Sequence, residues 1–176
     1  MRAYVFLGFA LLTGCTTVVS VNPLYRDTDR AIVFDPSLLG KWTGEDTTFT
    51  IVPEGKKAYR VVGFMAEKKE LEDVTMHLVK VGRQMLLDVS LGRTGPELPC
   101  HVFLRVRIEP GTFYASLMST QWLDERIKQD GKLKYEVKEG NTLLTCPSAE
   151  LQKHLLPYAR DKRAFDNEEG AFHRVK

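Results

Sequence analysis

The chain has 176 residues and a mass of 20.0 kDa, enough for one core of about 100–150 residues plus a tail and too little for a second. With 43% hydrophobic and 27% charged residues and a net charge of +2, it is too apolar and too nearly neutral to be disordered throughout. The balance of 25 basic to 23 acidic side chains gives no general electrostatic case for nucleic acid, and three cysteines are too few for a disulfide scaffold.

Met1-Arg2 supplies a positive charge, Ala3 to Leu12 is an apolar run, and Leu12-Thr13-Gly14-Cys15 closes it with small residues, the order of a secretory signal. The run is about half the ~20 apolar residues that span a bilayer, and nothing later approaches that length, so no transmembrane helix is expected. Leu12-Thr13-Gly14-Cys15 resembles the lipobox of bacterial lipoproteins. The resemblance implies diacylglyceryl modification of Cys15, cleavage between Gly14 and Cys15, and acylation of the new amino terminus by a fatty acid such as palmitate. Two or three acyl chains anchor stably where one holds only marginally. The alternatives are an ordinary signal peptide with a cysteine near its cleavage site, or a buried N-terminal helix with a stray thiol.

Removal of 14 residues would leave a body of 162 residues and, with Arg2 gone, a balance of +1. Thr16 follows the cysteine where, in the lipoprotein family, an aspartate goes with inner-membrane retention. The resemblance therefore implies the periplasmic face of the outer membrane, or the outer side of the inner membrane where the envelope has only one. The expected organisation is a signal peptide over 1–14, a lipidated N-terminus and tether over 15–34 with a break at Asn22-Pro23, and a single β-rich domain over 35–176.

That domain begins with one helical turn, Asp35-Pro36-Ser37-Leu38-Leu39-Gly40, with Asp35 as N-cap and Pro36 at the first helical position. Nine β-type runs follow: Lys41–Val52, Lys57–Met65, Leu71–Val81, Gln84–Ser90, His101–Ile108, Thr112–Met118, Leu133–Lys138, Thr142–Cys146 and Ala171–Val175. Alternation is clearest in His101–Ile108, where Val102, Leu104, Val106 and Ile108 share one face and His101, Phe103, Arg105 and Arg107 the other. One face is expected buried; the other is wet or lines something. Thr120 can cap a helix over Gln121–Gln129 that stops at Gly131, and a second helix is expected from Ser148 to about Asp161, interrupted near Pro157. The fold class is α+β, mainly antiparallel β: a lipocalin-like barrel or strongly curved sheet with two short helices.

Leu39-Gly40-Lys41-Trp42, after a helical turn, resembles the Gly-x-Trp signature that opens lipocalin-type barrels. In that family the tryptophan closes one end of an eight-stranded barrel, and a helix and a final short strand end the chain, as Ser148–Asp161 and Ala171–Val175 do here. Trp42 reads equally as a core aromatic at a strand start. As a whole the body is more similar to the small bacterial lipoprotein families that carry no assigned activity, so the resemblance implies none.

No catalytic motif stands out. His77, His101, His154 and His173 fall on four separate elements without metal-site spacing, and no metal or other cofactor is expected, although His77 and His101 on sheet strands can still meet in space. Cys100 and His101 are neighbours along a strand and point to opposite faces. Gly92-Arg93-Thr94-Gly95 lacks the lysine and helix of a phosphate loop, and no Gly-x-Ser-x-Gly elbow is present. Cys100 and Cys146 can form one disulfide, closing about 45 residues and contributing about 3–4 kcal/mol, or stay as two buried thiols. Lys56-Lys57, Lys68-Lys69 and Arg105/Arg107 make either a basic strip toward anionic headgroups or a partner, or a solvated mixed-charge surface with Glu67, Glu70, Glu72 and Asp73.

The expected function is that of a lipid-anchored, non-catalytic envelope protein binding a protein partner or a small apolar ligand, with no nucleic acid. In the ligand version Val102, Leu104 and Val106 line the cavity. The alternatives are a structural or assembly accessory of an envelope complex and, behind both, a hydrolase built around His77 or His101.

Overall fold

Strands that alternate apolar and polar residues bury one face by curling it around a shared core. The computed structural model describes residues 18–26, 30–44, 47–66, 69–70, 74–91, 100–138, 141–155, 159, 161–165 and 169–176; Gly14, Cys15, Thr16, Gly92 to Pro99 and Pro157 lie outside them. In chain order the strands are β1 (Val18–Ser20), β2 (Ile32–Val33), β3 (Gly40–Gly44), β4 (Thr47–Glu54), β5 (Ala58–Val62), β6 (Met65–Ala66), β7 (Lys69–Glu70), β8 (Val74–Val81), β9 (Gln84–Leu91), β10 (Cys100–Glu109), β11 (Thr112–Leu117), β12 (Tyr135–Lys138), β13 (Asn141–Leu144) and β14 (Gly170–Arg174). Helix α1 (Thr120–Asp130) lies between β11 and β12, and α2 (Ser148–Leu155) between β13 and β14.

Eight of these strands, β3, β4, β5, β8, β9, β10, β11 and β14, form a closed antiparallel barrel in chain order. Closure comes from β14, which pairs with β11 on one side and with β3 on the other through His173–Thr43 and Arg174–Trp42. The run Lys41–Val52, expected as one strand, is a hairpin in which Gly44 of β3 pairs with Thr47 of β4. The buried positions shift from even Trp42 to odd Phe49 and Ile51 across the turn, but one buried residue in the first arm is too few to set a phase.

An eight-stranded barrel is just wide enough for side chains to fill. Phe49 lies 5.7 Å from Phe64, 6.4 Å from Phe113 and 5.4 Å from Phe172, ring centre to ring centre, and Phe113 stacks on Phe172 at 4.8 Å. Tyr59, Met76, Leu78, Leu87 and Leu104 are buried with them.

A second core lies outside the barrel wall, joining Val79, Leu86 and Phe103 to Trp122, Leu123 and Ile127 of α1 and Leu151 and Leu155 of α2. The middle of the β8–β9–β10 wall is therefore buried on both faces, which is why Leu78-Val79, Leu86-Leu87 and Phe103-Leu104 are adjacent apolar pairs. The face of β10 opposite the interior is covered at His101 and Phe103, half-covered at Arg105 and wet only by Arg107.

The stretch expected as a tether is docked. Val18–Ser20 is a strand between β10 and β13, and Leu24 is fully buried in the second core. Helix α1 is capped by the Ser119 hydroxyl, one residue earlier than expected, and stops at Gly131 in the left-handed conformation (φ 56°). Described helix α2 ends at Leu155.

Asp161 caps the short turn Lys162–Ala164, and the Arg163 guanidinium donates to both its carboxylate oxygens at 2.8 and 3.1 Å. These contacts pull the Asp161 carboxyl down to about 2. A folded value below the unfolded one gives stabilisation that is present above the unfolded value, near 4, and lost as pH falls through about 2. Carboxyl carbon NMR is expected to show that midpoint near 2, moving toward 4 in Arg163→Ala.

Candidate functional site

Strand β10 outruns β9 after the pair Val106–Met85, and its last residues pair only with β11. At that step the two faces of β10 come together around the end of β9. A cleft of about 710 Å³ opens there, beside the β8–β9 turn, lined by outward Arg105 and Arg107, inward Val106 and Ile108, Arg83, Gln84, Met85, Asp35 and Glu169.

The charges in the cleft are unequally occupied. Arg107 stacks over the Tyr114 ring at 3.8 Å, donates to Glu169 at 2.8 Å and also bonds Glu109. The Glu169 carboxylate raises its pKa above the ordinary guanidinium value. Asp35 accepts the Ser37 N–H at 2.9 Å and the Ser37 hydroxyl at 2.6 Å as the cap of the turn Pro36–Leu38. Arg105 is half-buried with its guanidinium 5.1 Å from the centre of the Phe165 ring, and Arg83 is exposed on the turn.

A second polar group lies on the outer face of the wall. Asp88 of β9 is 1% exposed and pairs across the strands with His77 of β8; its carboxylate takes a hydrogen bond from His101 Nδ1 at 2.6 Å and one from the Leu24 N–H at 2.5 Å. The Tyr25 ring covers His77 at 4.2 Å. Two of the four histidines, expected on separate elements, thus share a face with one carboxylate. A carboxylate on Nδ1 orients an imidazole for proton transfer, but His101 is 8% exposed beneath the N-terminal segment, and the nearby Ser20 hydroxyl is bonded to the Asn22 carbonyl. The group fastens that segment to the barrel.

The closed end is built from Trp42. Its indole N–H donates to the Leu38 carbonyl at 2.8 Å, and the Arg174 guanidinium lies 4.6 Å over the ring while donating to the carbonyls of Leu39 and Ser37 at 2.7 and 2.5 Å. Gly40 has φ of 125°, a left-handed backbone that favours glycine before Lys41-Trp42, and the Arg174 guanidinium lies close over it.

Cys100 belongs to β10 and Cys146 follows β13, with β1 inserted between those strands. Strand spacing alone sets the two backbones about 10 Å apart, whereas a disulfide needs Cα atoms within roughly 7 Å. Cys146 Sγ accepts the Lys134 N–H at 2.8 Å, and burial pushes its pKa up. His154 is half-buried on α2, and His173 is exposed on β14 with Nδ1 3.2 Å from the Thr112 hydroxyl. Among the described residues no three His, Cys, Asp or Glu side chains are placed to hold a metal ion.

Sequence reasoning passed over Asp88 and Arg174. Asp88 is the acid inside the otherwise apolar Met85–Val89, which was its available signal; Arg174, two residues after buried Phe172, carried none. Compared with known proteins, the chain matches no family model, no curated protein and no solved structure.

Proposed function

We propose that this protein is a lipid-anchored envelope lipoprotein, without catalytic activity, whose barrel docks a protein partner at the membrane surface. The observation that carries docking over carriage of an apolar ligand is the filling of the barrel: Val102, Leu104 and Val106, the residues expected to line a ligand cavity, pack instead with Phe49, Phe113 and Phe172. The anchor rests on Leu12-Thr13-Gly14-Cys15 and the periplasmic face of the outer membrane on Thr16. A lipocalin-type architecture is supported by the eight-stranded meander and by Trp42 at its closed end. One surface suited to docking is β12, an edge strand with Tyr135 41% and Val137 67% exposed, whose outer backbone edge can accept an added strand.

Metabolic labelling with an alkyne fatty acid tests the anchor. The processed protein is expected to carry label, and Cys15→Ala to lose it and accumulate unprocessed chain; undiminished labelling of Cys15→Ala overturns the reading. Native mass spectrometry of the detergent-extracted protein separates the two forms of binding, a stoichiometric protein partner supporting docking and a retained lipid supporting carriage.

A further inference from the structure

We propose that the cleft beside the β8–β9 turn binds an organic phosphate, its anionic head on Arg105 and Arg83 and a short apolar stem on Met85 and Ile108. This goes beyond the docking role and holds whether or not Cys15 is acylated. The volume of about 710 Å³ is that of a small-molecule site. Of its three guanidinium groups, Arg107 is paired with Glu169 and Glu109, while one oxygen of the Asp35 carboxylate accepts both Ser37 bonds.

Arg83 and Arg105 remain, and among the described residues neither has a hydrogen-bonding or ion-pair partner. Arg105 is the more telling. The residue is half-buried with its guanidinium 5.1 Å from the centre of the Phe165 ring, and among the described residues no carboxylate pairs with it. A planar guanidinium in that state is set to take two oxygens of a phosphate at once. Directly across the sheet from Arg105, the Ser116 hydroxyl is buried and has no hydrogen-bond partner among the described residues.

The apolar side of the cleft follows from the strand geometry. Because β9 begins late, Val106 and Ile108, which face the barrel interior, reach the rim beside Met85. A bare inorganic anion would leave the half-buried Met85 and Ile108 uncovered, and a neutral apolar molecule would leave two guanidinium groups unmatched. An amphipathic phosphate meets both. Such a group occurs in soluble phosphate monoesters and in phospholipid headgroups.

Hexyl phosphate is the probe, titrated calorimetrically into the full chain in uncharged maltoside micelles. Saturable binding is expected, weakened at least about tenfold in Arg105→Met and in Arg83→Met, with hexanol and inorganic phosphate each binding more weakly than hexyl phosphate. Arg83 lies on an exposed turn, so Arg83→Met keeps the test decisive if Arg105→Met fails to fold. Arg60→Met, on β5 and paired with Glu54, is expected to bind as the parent does. Competition from phosphatidylglycerol in the micelles, but not from phosphatidylcholine, assigns the site to a headgroup; undiminished hexyl phosphate binding assigns it to a soluble ester. Absence of binding, or affinity unchanged in both cleft variants, overturns the proposal.

Discussion

Asp88→Ala is expected to lower the unfolding free energy by about 3–5 kcal/mol, a large part of the roughly 5–15 kcal/mol available to a domain of this size. The carboxylate is the shared acceptor for His101 Nδ1 of β10 and the Leu24 N–H of the N-terminal segment. Its removal leaves an imidazole and a backbone donor without that acceptor, and the penalty is the desolvation each has already undergone. Asp88→Asn keeps one oxygen acceptor and is expected to cost less, about 1–3 kcal/mol. Urea unfolding measures both. Hydrogen exchange supplies the sharper check: in Asp88→Ala the amides of Val18 to Leu24 should exchange faster than those of β4 and β5, because the lost bonds lie in that strap. A loss under 1 kcal/mol, or exchange that rises uniformly, would show that Asp88 does not hold it.

Trp42→Ala is expected to cost about 3–5 kcal/mol. The side chain is fully buried, meets Phe113 edge-on at 4.9 Å, bonds the Leu38 carbonyl and carries Arg174 on its other side. Trp42→Phe retains most of the packing and loses the indole N–H, for an expected cost of about 1–3 kcal/mol. Arg174→Ala, at an exposed site, is expected to cost less than Trp42→Ala. The two alanine substitutions should be less than additive in a double-mutant cycle, since each removes the same ring–guanidinium contact and loosens the same turn. Strict additivity would separate Arg174 from the closed end.

The turn Pro36–Leu38 was visible in Asp35-Pro36 and Gly40 because a cap and a fixed proline φ act within a few residues. Strands β8 to β11 were visible for the same local reason, their ends marked by Gly82 and by Pro110-Gly111. The strands β1 and β2 were not, since runs of three and two residues carry no measurable period. Their structure comes from pairing with β10, β13 and β8, and the same pairing inserts β1 between β10, which carries Cys100, and β13, which Cys146 follows.

Of the candidate site, the alternation in His101–Ile108 placed Arg105 and Arg107 on the outward face, and that placement held. It did not show which of them would be neutralised. Glu169, the residue that decides this, lies 62 positions from Arg107 and arrives only through β14.

By itself, then, the amino-acid order determined the majority of the strands, the capped turn at Asp35, a helix stopped at Gly131 and the lipobox resemblance that sets the expected address. These depend on side-chain period, capping and turn chemistry, interactions that end within about one element. Tertiary structure alone decided barrel closure, the burial of one wall on both faces, the Asp88 fastening and the cleft. Each joins residues as far apart as Leu24 and Asp88, 64 positions, or Ser37 and Arg174, 137 positions, where the outcome depends on which faces meet once the sheet has curled. No local pattern encodes that choice, because the free energy favouring it comes from packing between elements and exists only after they have assembled.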